Sequence, residues 1–556
     1  MGLRARLAIA LTLLFGLLFA FGMGLIAVLE YFGIISGIYV FIVSLVFAIF
    51  VVFLQWALSP FIIMWLYKID WTEPEALGQK VASYIYDVCA REKINVPKVG
   101  IINDANPNAF TFGWTKNHAR IAVTKGIMQY CDEEERIAVI AHEMGHIVHD
   151  DFVFMTVISA IPLIFYIILR SSLYALRIAG RSRRGGQAAI VFLVTAAISF
   201  IVYVLSQFIA LLVSRYREYY ADEFSAESTG RPNKLASALL KIAYGMATEG
   251  LGERSDKEHT RHTTSLGIFN ADSARALAAM GADAYGDYSL DTIEKAMAWD
   301  MWNPWATLLE LQSTHPLPAK RLNKLGQIAE KMGQEPLISF KLKKPECYWD
   351  DFLKDILAKY GGAIIATLLF IFIPWYILTH NYSQSRFSMG LLLSITLSMF
   401  VIGGWGLAYL ITYAYPFRFR DMEVINLISY PKASPIRGIP VRLKGRIIGR
   451  GVPGLFFSED MKIDDGTGLL LIDYHQISKF VDILVGIFAT EKNIGKEVIV
   501  EGWYRRRIVP YLELYRMTLP GDEVKRIYTS YFYIITAAVV MVLGLVLSFP
   551  ILQAML

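Results

Sequence analysis

Seven stretches of this chain are apolar for about the length of a bilayer crossing. Such a crossing takes roughly 20 helical residues, because hydrocarbon offers the backbone no water to bond. The stretches run over residues 7–29, 35–58, 152–169, 188–213, 362–379, 388–412 and 529–551. A chain so patterned cannot bury all its apolar surface in one aqueous core, and the expected class is an α-helical polytopic membrane protein. The first stretch follows Arg4 and Arg6. It is too long for a signal-peptide core and has no clear small-residue cleavage site, so it reads as a retained anchor. Pro60 is expected to end the second.

Composition agrees with that class: 55% of the 556 residues are hydrophobic and only 19% are charged. A net charge of +5, spread along the chain, does not point to nucleic acid. Cys89, Cys131 and Cys347 have neither metal-ligand nor disulfide spacing and read as reduced structural thiols.

The segments between the spans carry the chemistry. Thr72-Glu73-Pro74-Glu75 reads as a helix start. Lys98–Ile102 and Arg120–Thr124 read as short strands. Asp132 with Glu135 three residues on forms a capping box. The helix it opens carries His142-Glu143-Met144-Gly145-His146. Residues four apart on a helix share one face, so His142 and His146 can direct imidazole nitrogens at one ion. Glu143 sits beside it to act on a water.

A third ligand is required. The metzincin pattern needs Gly at 149 and His at 152, where this chain has His149 and Phe152. The stronger candidate is Glu218 in Ser214–Asp222, where Glu218 and Asp222 again lie one turn apart, so that one can bind and the other support. His149 is the rival, although it lies two turns from His142 and cannot easily join both histidines. Of the remaining histidines, His118, His380 and His475 are expected to face water, and His259 and His262 fall in the polar loop 253–264. His315 stands between Thr314 and Pro316, and Pro316 and Pro318 fix a bend that could hold an imidazole toward a cleft.

Four motifs in this order resemble the HtpX-like membrane metallopeptidases, relatives of the type I CAAX prenyl proteases. They are Asn108-Ala109-Phe110 with Gly113, the motif at 142–146, Arg217–Asp222, and Thr314–Arg321. The resemblance spans residues 1–330. It implies a gluzincin holding one Zn²⁺ per chain on His142, His146 and Glu218, with Asp222 and Arg321 supporting the site. Glu143 would be the catalytic base and His315 the oxyanion donor. Asn108, Ala109 and Phe110 would lie on the edge strand that receives an extended peptide. The implied activity is endoproteolysis of damaged or misassembled membrane proteins. CAAX-type processing and a non-catalytic scaffold are the alternatives, and every expected catalytic group is present.

Residues 430–520 differ in texture. Val441–Arg450, Leu455–Ile463, Leu469–Tyr474, Glu497–Tyr504 and Tyr511–Met517 read as five strands, and Ser478–Ala489 as an intervening helix. That count suits a small OB-like barrel. Arg505-Arg506-Arg507 beside Trp503 and Tyr504 could suggest nucleic acid, but a solvated or lipid-headgroup face is the expectation, and no nucleic acid partner is expected.

The expected organisation is two N-terminal transmembrane helices (1–67), then a mostly helical zincin-type catalytic domain (68–358) interrupted by apolar helices at 152–169 and 188–213. Two transmembrane helices (359–414), the C-terminal small β-barrel (430–520) and a last transmembrane helix (527–556) follow. Polypeptides and the lipid bilayer are the expected partners. Sidedness brings a conflict. Eleven basic residues near span ends place the catalytic domain in the cytoplasm: Arg4, Arg6, Lys68, Arg215, Arg217, Lys354, Lys359, Arg418, Arg420, Lys525 and Arg526. Arg170, Arg177, Arg181, Arg183 and Arg184, with Arg386, would then lie outside, against the positive-inside rule, unless the whole protein is inverted or spans three and four form a hairpin that does not cross.

Overall fold

A computed structural model describes residues 38–105, 107–179, 186–248, 290–340, 347–380, 383–450, 460–476, 493–507 and 509–555. The apolar stretch 7–29, the loop with His259 and His262, Arg181, Arg183, Arg184 and the helix expected over 478–489 lie outside those residues. The chain is mostly helical and forms two compact units. The first comprises Met1–Glu249, Arg254–Ala274 and Glu310–Ser339, and the second Gly250–Glu253, Arg275–Leu309 and Phe340–Leu556.

The first unit begins with helix α1 (Ile38–Tyr67), which runs through Pro60 instead of ending there. Proline removes one helical hydrogen bond, but in an apolar segment every other backbone group still needs its partner inside the helix. Strand β1 (Asp70–Thr72) follows. The expected helix start at Thr72–Glu75 is a 3₁₀ turn, Pro74–Leu77. Gly78, at φ 124°, separates it from α2 (Gln79–Glu92). Strands β2 (Lys98–Ile102), β3 (Ala109–Gly113) and β4 (Ala119–Thr124) complete a sheet of order β1-β2-β4-β3, with β3 at its edge. A short helix α3 (Lys125–Tyr130) leads to the central helix α4 (Glu133–Val148).

The capping box forms as read: Asp132 Oδ1 accepts from the Glu135 amide and Glu135 Oε2 from the Asp132 amide, both at 2.8 Å. Glu135 is buried and also accepts from Ser237 and Lys241, which fastens the start of α4 to helix α7 (Pro232–Thr248). Between them run α5 (Asp151–Ala179) and α6 (Gly186–Thr229), the latter a single helix of 44 residues. Its first part is apolar and its last turns carry Glu218 and Asp222.

In the second unit lie α8 (Leu290–Trp302) and most of α9 (Pro304–Glu310), whose last residue belongs to the first unit. Helix α10 (Pro318–Lys331) returns to the first unit, and α11 (Trp349–Thr379) and α12 (Gln384–Tyr409) to the second. Among the described residues, five helical segments are long and apolar enough to cross a membrane: Ile158–Arg177, Ala189–Thr229, Trp349–Thr379, Gln384–Ala414 and Thr529–Ala554.

After β5 (Arg420–Asp421) and α13 (Val424–Ile428) come β6 (Ile439–Arg450), β7 (Met461–Asp464), β8 (Leu469–Asp473), β9 (Glu497–Arg506) and β10 (Pro510–Thr518). Strand β6 pairs with β7, β7 with β8, β8 with β10, β10 with β9 and β9 with β6, so five strands close on themselves. Strand β11 (Val524–Arg526) and helix α14 (Thr529–Met555) end the unit.

One expectation fails here for two of its three arginines, Arg507 being exposed. Arg505 and Arg506 are 5% and 0% exposed, and neither forms a solvated or headgroup face. Arg505 pairs with Glu513 at 2.8 Å, and Arg506 lies 3.5 Å from Asp300 and over the Trp299 ring. Trp503 and Tyr504 are buried as well, so no stacking platform for bases exists at this motif. Partners distant in sequence decide the outcome, and the arginine run alone could not name them.

Candidate metal and catalytic site

Helix α4 is buried from Ala138 to Ile147, and its glycine lets α6 come close. A Cβ on Gly145 would stand 3.1 Å from Ala221 Cα and 3.3 Å from Phe224. Across that contact, His142 Nε2 lies 3.5 Å from Glu218 Oε2, and His146 Nε2 lies 3.8 Å from Glu218 Oε1. One ligand atom from each of His142, His146 and Glu218 falls within 4.8 Å of the others, and all three residues are buried. His142 Nε2 and Glu218 Oε2 have no hydrogen-bond partner. Two orphaned, fully buried lone-pair atoms facing each other are costly unless something cationic lies between them. Two imidazoles and a carboxylate are a donor set that fits a divalent transition metal. Among the described residues no other such cluster occurs.

The surroundings hold these side chains in place. His142 Nδ1 lies 3.0 Å from Asp222 Oδ1. Arg321, fully buried on α10, donates to both Asp222 oxygens at 2.9 and 2.6 Å. Its Nη1 also lies 3.8 Å from Glu218 Oε2. His315 Nε2 lies 3.8 Å from Glu218 Oε1, and its Nδ1 meets Thr314 Oγ1 at 2.9 Å. The loop bearing His315 is pinned by buried Arg215, whose Nη1 donates to the carbonyls of Glu310 and Ser313 at 2.8 and 2.9 Å. Glu310 also pairs with Lys320.

Asn108, Ala109 and Phe110 are buried. The Asn108 amide and carbonyl bond Thr124 on β4, and Phe110 packs against Tyr67 in the core beneath the sheet. The contact from this strand to the site comes from Thr111, one residue further on. Its hydroxyl donates to Glu143 Oε2 at 2.7 Å. Sequence reading missed Thr111, although strand alternation puts it opposite Phe110, on the face away from the core. It also missed Asp151, whose Oδ2 lies 2.7 Å from His146 Nδ1. Asp150 takes φ 56°, a left-handed step that Asp tolerates, and it turns the chain at the end of α4. His149 turns toward Tyr220 and Phe224 and does not join the cluster. His118 and His380 are exposed, and His475 is half-buried.

Burial is the leading influence on the imidazoles. It depresses His146 to about 3, with Arg217 adding to the effect, and His315 to about 4. Burial would depress His142 too, but Asp222 and Glu218 beside it reverse the shift and hold it at about 9.

Comparison with known proteins agrees with the geometry. Residues 75–329 match peptidase family M48. A protease HtpX homolog of Methanothermobacter thermautotrophicus is 38% identical over 240 residues, 43% of this chain and 85% of that protein. The HtpX homolog of Aeropyrum pernix is 31% identical, covering 53% and 88%. That of Thermoplasma acidophilum is 32% identical, covering 59% and 98%. Among solved structures, S. mikatae Ste24p matches at 19% identity and a TM-score of 0.33 over 57% of this chain and 64% of that one, a level that carries no argument. Fold, site and relatives together define a multi-pass membrane metalloprotease. The chain belongs to peptidase family M48. The β-barrel lies beyond the matched residues.

The buried Asp222–Arg321 pair gives a stability prediction. Arg321→Met leaves Asp222 without its cation, and removing one member of a buried pair costs about 3–5 kcal/mol. The variant should melt at a clearly lower temperature in detergent and bind metal more weakly. Unchanged melting and metal content would show that the pair supports neither.

Proposed function

We propose that the chain is a zinc endopeptidase of zincin type that hydrolyses peptide bonds with an activated water. The observation that carries this reading is the convergence of His142, His146 and Glu218 within 4.8 Å, with Glu143 adjoining them on α4. A zinc ion held by those three residues would supply Lewis acidity and lower the pKa of a water toward ~7. Glu143, oriented by the Thr111 hydroxyl, accepts the proton of the attacking water and returns it to the departing amine. When Nδ1 of His315 accepts from the Thr314 hydroxyl, the ring proton sits on Nε2, which then donates to the developing oxyanion. Strand β3 is the sheet edge, to which an extended substrate adds as a further strand.

Glu218 stands on the same continuous helix as an apolar span, which supports membrane proteins, damaged or misassembled, as the substrates. For the barrel we favour an OB-like assignment, since its strands, numbered from β6, close in the order 1-2-3-5-4 with the third and fifth parallel. Substrate selection is the role this assignment suggests.

Glu143→Gln should abolish cleavage of an unfolded protein substrate and keep a full zinc complement by metal analysis, since Glu143 handles protons without ligating. Near-normal turnover in that variant would end the mechanism. Glu218→Ala should lose zinc and activity together, and a full zinc content there would remove Glu218 from the ligand set.

His315→Phe should keep zinc and KM and lower kcat by about 10²–10³, the loss expected for one oxyanion donor. A change in KM alone would make His315 a binding residue.

The catalytic domain is assigned to the cytoplasm on the basic residues at the span ends. Cys347 reports on this directly, being the exposed cysteine beside buried Cys89 and Cys131. An impermeant maleimide should label it only after cells are permeabilised, and labelling of intact cells, absent in Cys347→Ser, would invert the assignment.

A further inference from the structure

Helices α12 and α14 pack antiparallel at glycines. A Cβ on Gly403 would stand 2.3 Å from Met541 N, and one on Gly544 2.3 Å from Phe400 N. The apolar segment ending at Ala414 therefore finishes beside the one beginning at Thr529. Just past these two ends the aromatic rings gather. Phe417 lies 5.7 Å from Tyr531 and 5.6 Å from Tyr515, and Phe419 stacks on Tyr515 at 5.4 Å. Phe417, Tyr528, Tyr531 and Phe532 are exposed. Tyrosine rings favour the level of the lipid headgroups, so Tyr515, Tyr528 and Tyr531 point to the bilayer boundary at this cluster.

At that boundary lies an open pocket of about 440 Å³, walled by Phe417, Phe419 and Tyr515 and lined by three arginines against one glutamate. Glu501 is buried and uses both oxygens to fix two of them: Oε1 accepts from Arg442 Nε and Oε2 from Arg516 Nε, each at 2.8 Å. Arg442 Nη1 also lies 3.6 Å from Asp421, which is mostly exposed. The third, Arg418, is exposed and has no ion-pair partner among the described residues. Arg420 and Arg526, both exposed, add positive charge nearby. Two pre-oriented guanidinium groups, a free third and an aromatic wall form a receptor for a phosphate ester that carries apolar chains.

We propose that this pocket binds the phosphodiester headgroup of an anionic phospholipid, with Arg418, Arg442 and Arg516 on the phosphate and the aromatic wall against the glycerol and first acyl carbons. The inference rests on α12 and α14 spanning the bilayer and is independent of the peptidase site. A phosphate group could also come from free inorganic phosphate, but the headgroup-level position of the aromatic wall favours the lipid.

The test uses the full chain in mild detergent and counts retained lipid by native mass spectrometry, with dioleoyl phosphatidylglycerol or dioleoyl phosphatidylcholine added. Wild type should retain phosphatidylglycerol in preference to phosphatidylcholine, and millimolar inorganic phosphate should not displace it. Arg418→Glu places a negative charge at an exposed position and spares the Glu501 pairs. It should lower phosphatidylglycerol retention roughly thirtyfold, because the reversal changes the local charge by two, while leaving phosphatidylcholine unchanged. Arg418→Lys should keep most of the retention. Equal retention of the two lipids, wild-type retention in Arg418→Glu, or displacement by inorganic phosphate would each overturn the proposal.

Discussion

The close approach of α4 to α6 at Gly145 is the contact on which the site depends. A helix presents imidazoles four residues apart on one face wherever it sits, but a third donor must arrive from elsewhere at ligand distance. With 3.1 Å between an imagined Cβ and the Ala221 backbone, any larger side chain at 145 would hold Glu218 away from His142 and His146. The flanking attachments serve the same end. The capping box fixes where α4 begins, Glu135 ties it to α7, and the Ser225 hydroxyl bonds the Ala138 carbonyl.

Around that contact the protein gathers buried charge and balances it. Asp222 and Arg321 are both fully buried and form two hydrogen bonds, while Arg217 pairs with Glu218 at 3.1 Å. In a low-dielectric interior an unmatched charge is expensive, so each member is held to its partners and its geometry narrows. The orphaned His142 Nε2 and Glu218 Oε2 face each other where a cation from outside the chain would complete the balance.

The second unit uses the same devices for another purpose. Glycines at 403 and 544 bring two apolar helices into backbone contact, as suits a bilayer, where van der Waals packing takes the place of hydrophobic driving force. Buried Arg505 pairs with Glu513 and donates to the carbonyls of Ile436 and Ala414, tying the barrel to the segments that precede it, while Arg506 lies against Asp300. Asp355 does likewise, accepting from the Trp305 indole and the Tyr413 hydroxyl.

The sequence by itself determined whatever depends on local periodicity. This includes the apolar helices among the described residues, the strands at 98–102 and 120–124, the capping box, the facing pair His142 and His146, and the one-turn spacing of Glu218 and Asp222. Each follows from the fixed rise and twist of a helix or the alternation of a strand, which neighbouring residues suffice to set. The rest needed residues far apart in the chain. Thr111 reaches Glu143 only because β3 lies against α4, and Asp151 returns to His146 only because Asp150 takes a left-handed step. Helix α1 runs through Pro60, and Arg505 and Arg506 turn inward, because their surroundings outweigh the local preference. Which polar atoms end up buried together is a property of packing between distant segments, and only the tertiary structure decides it.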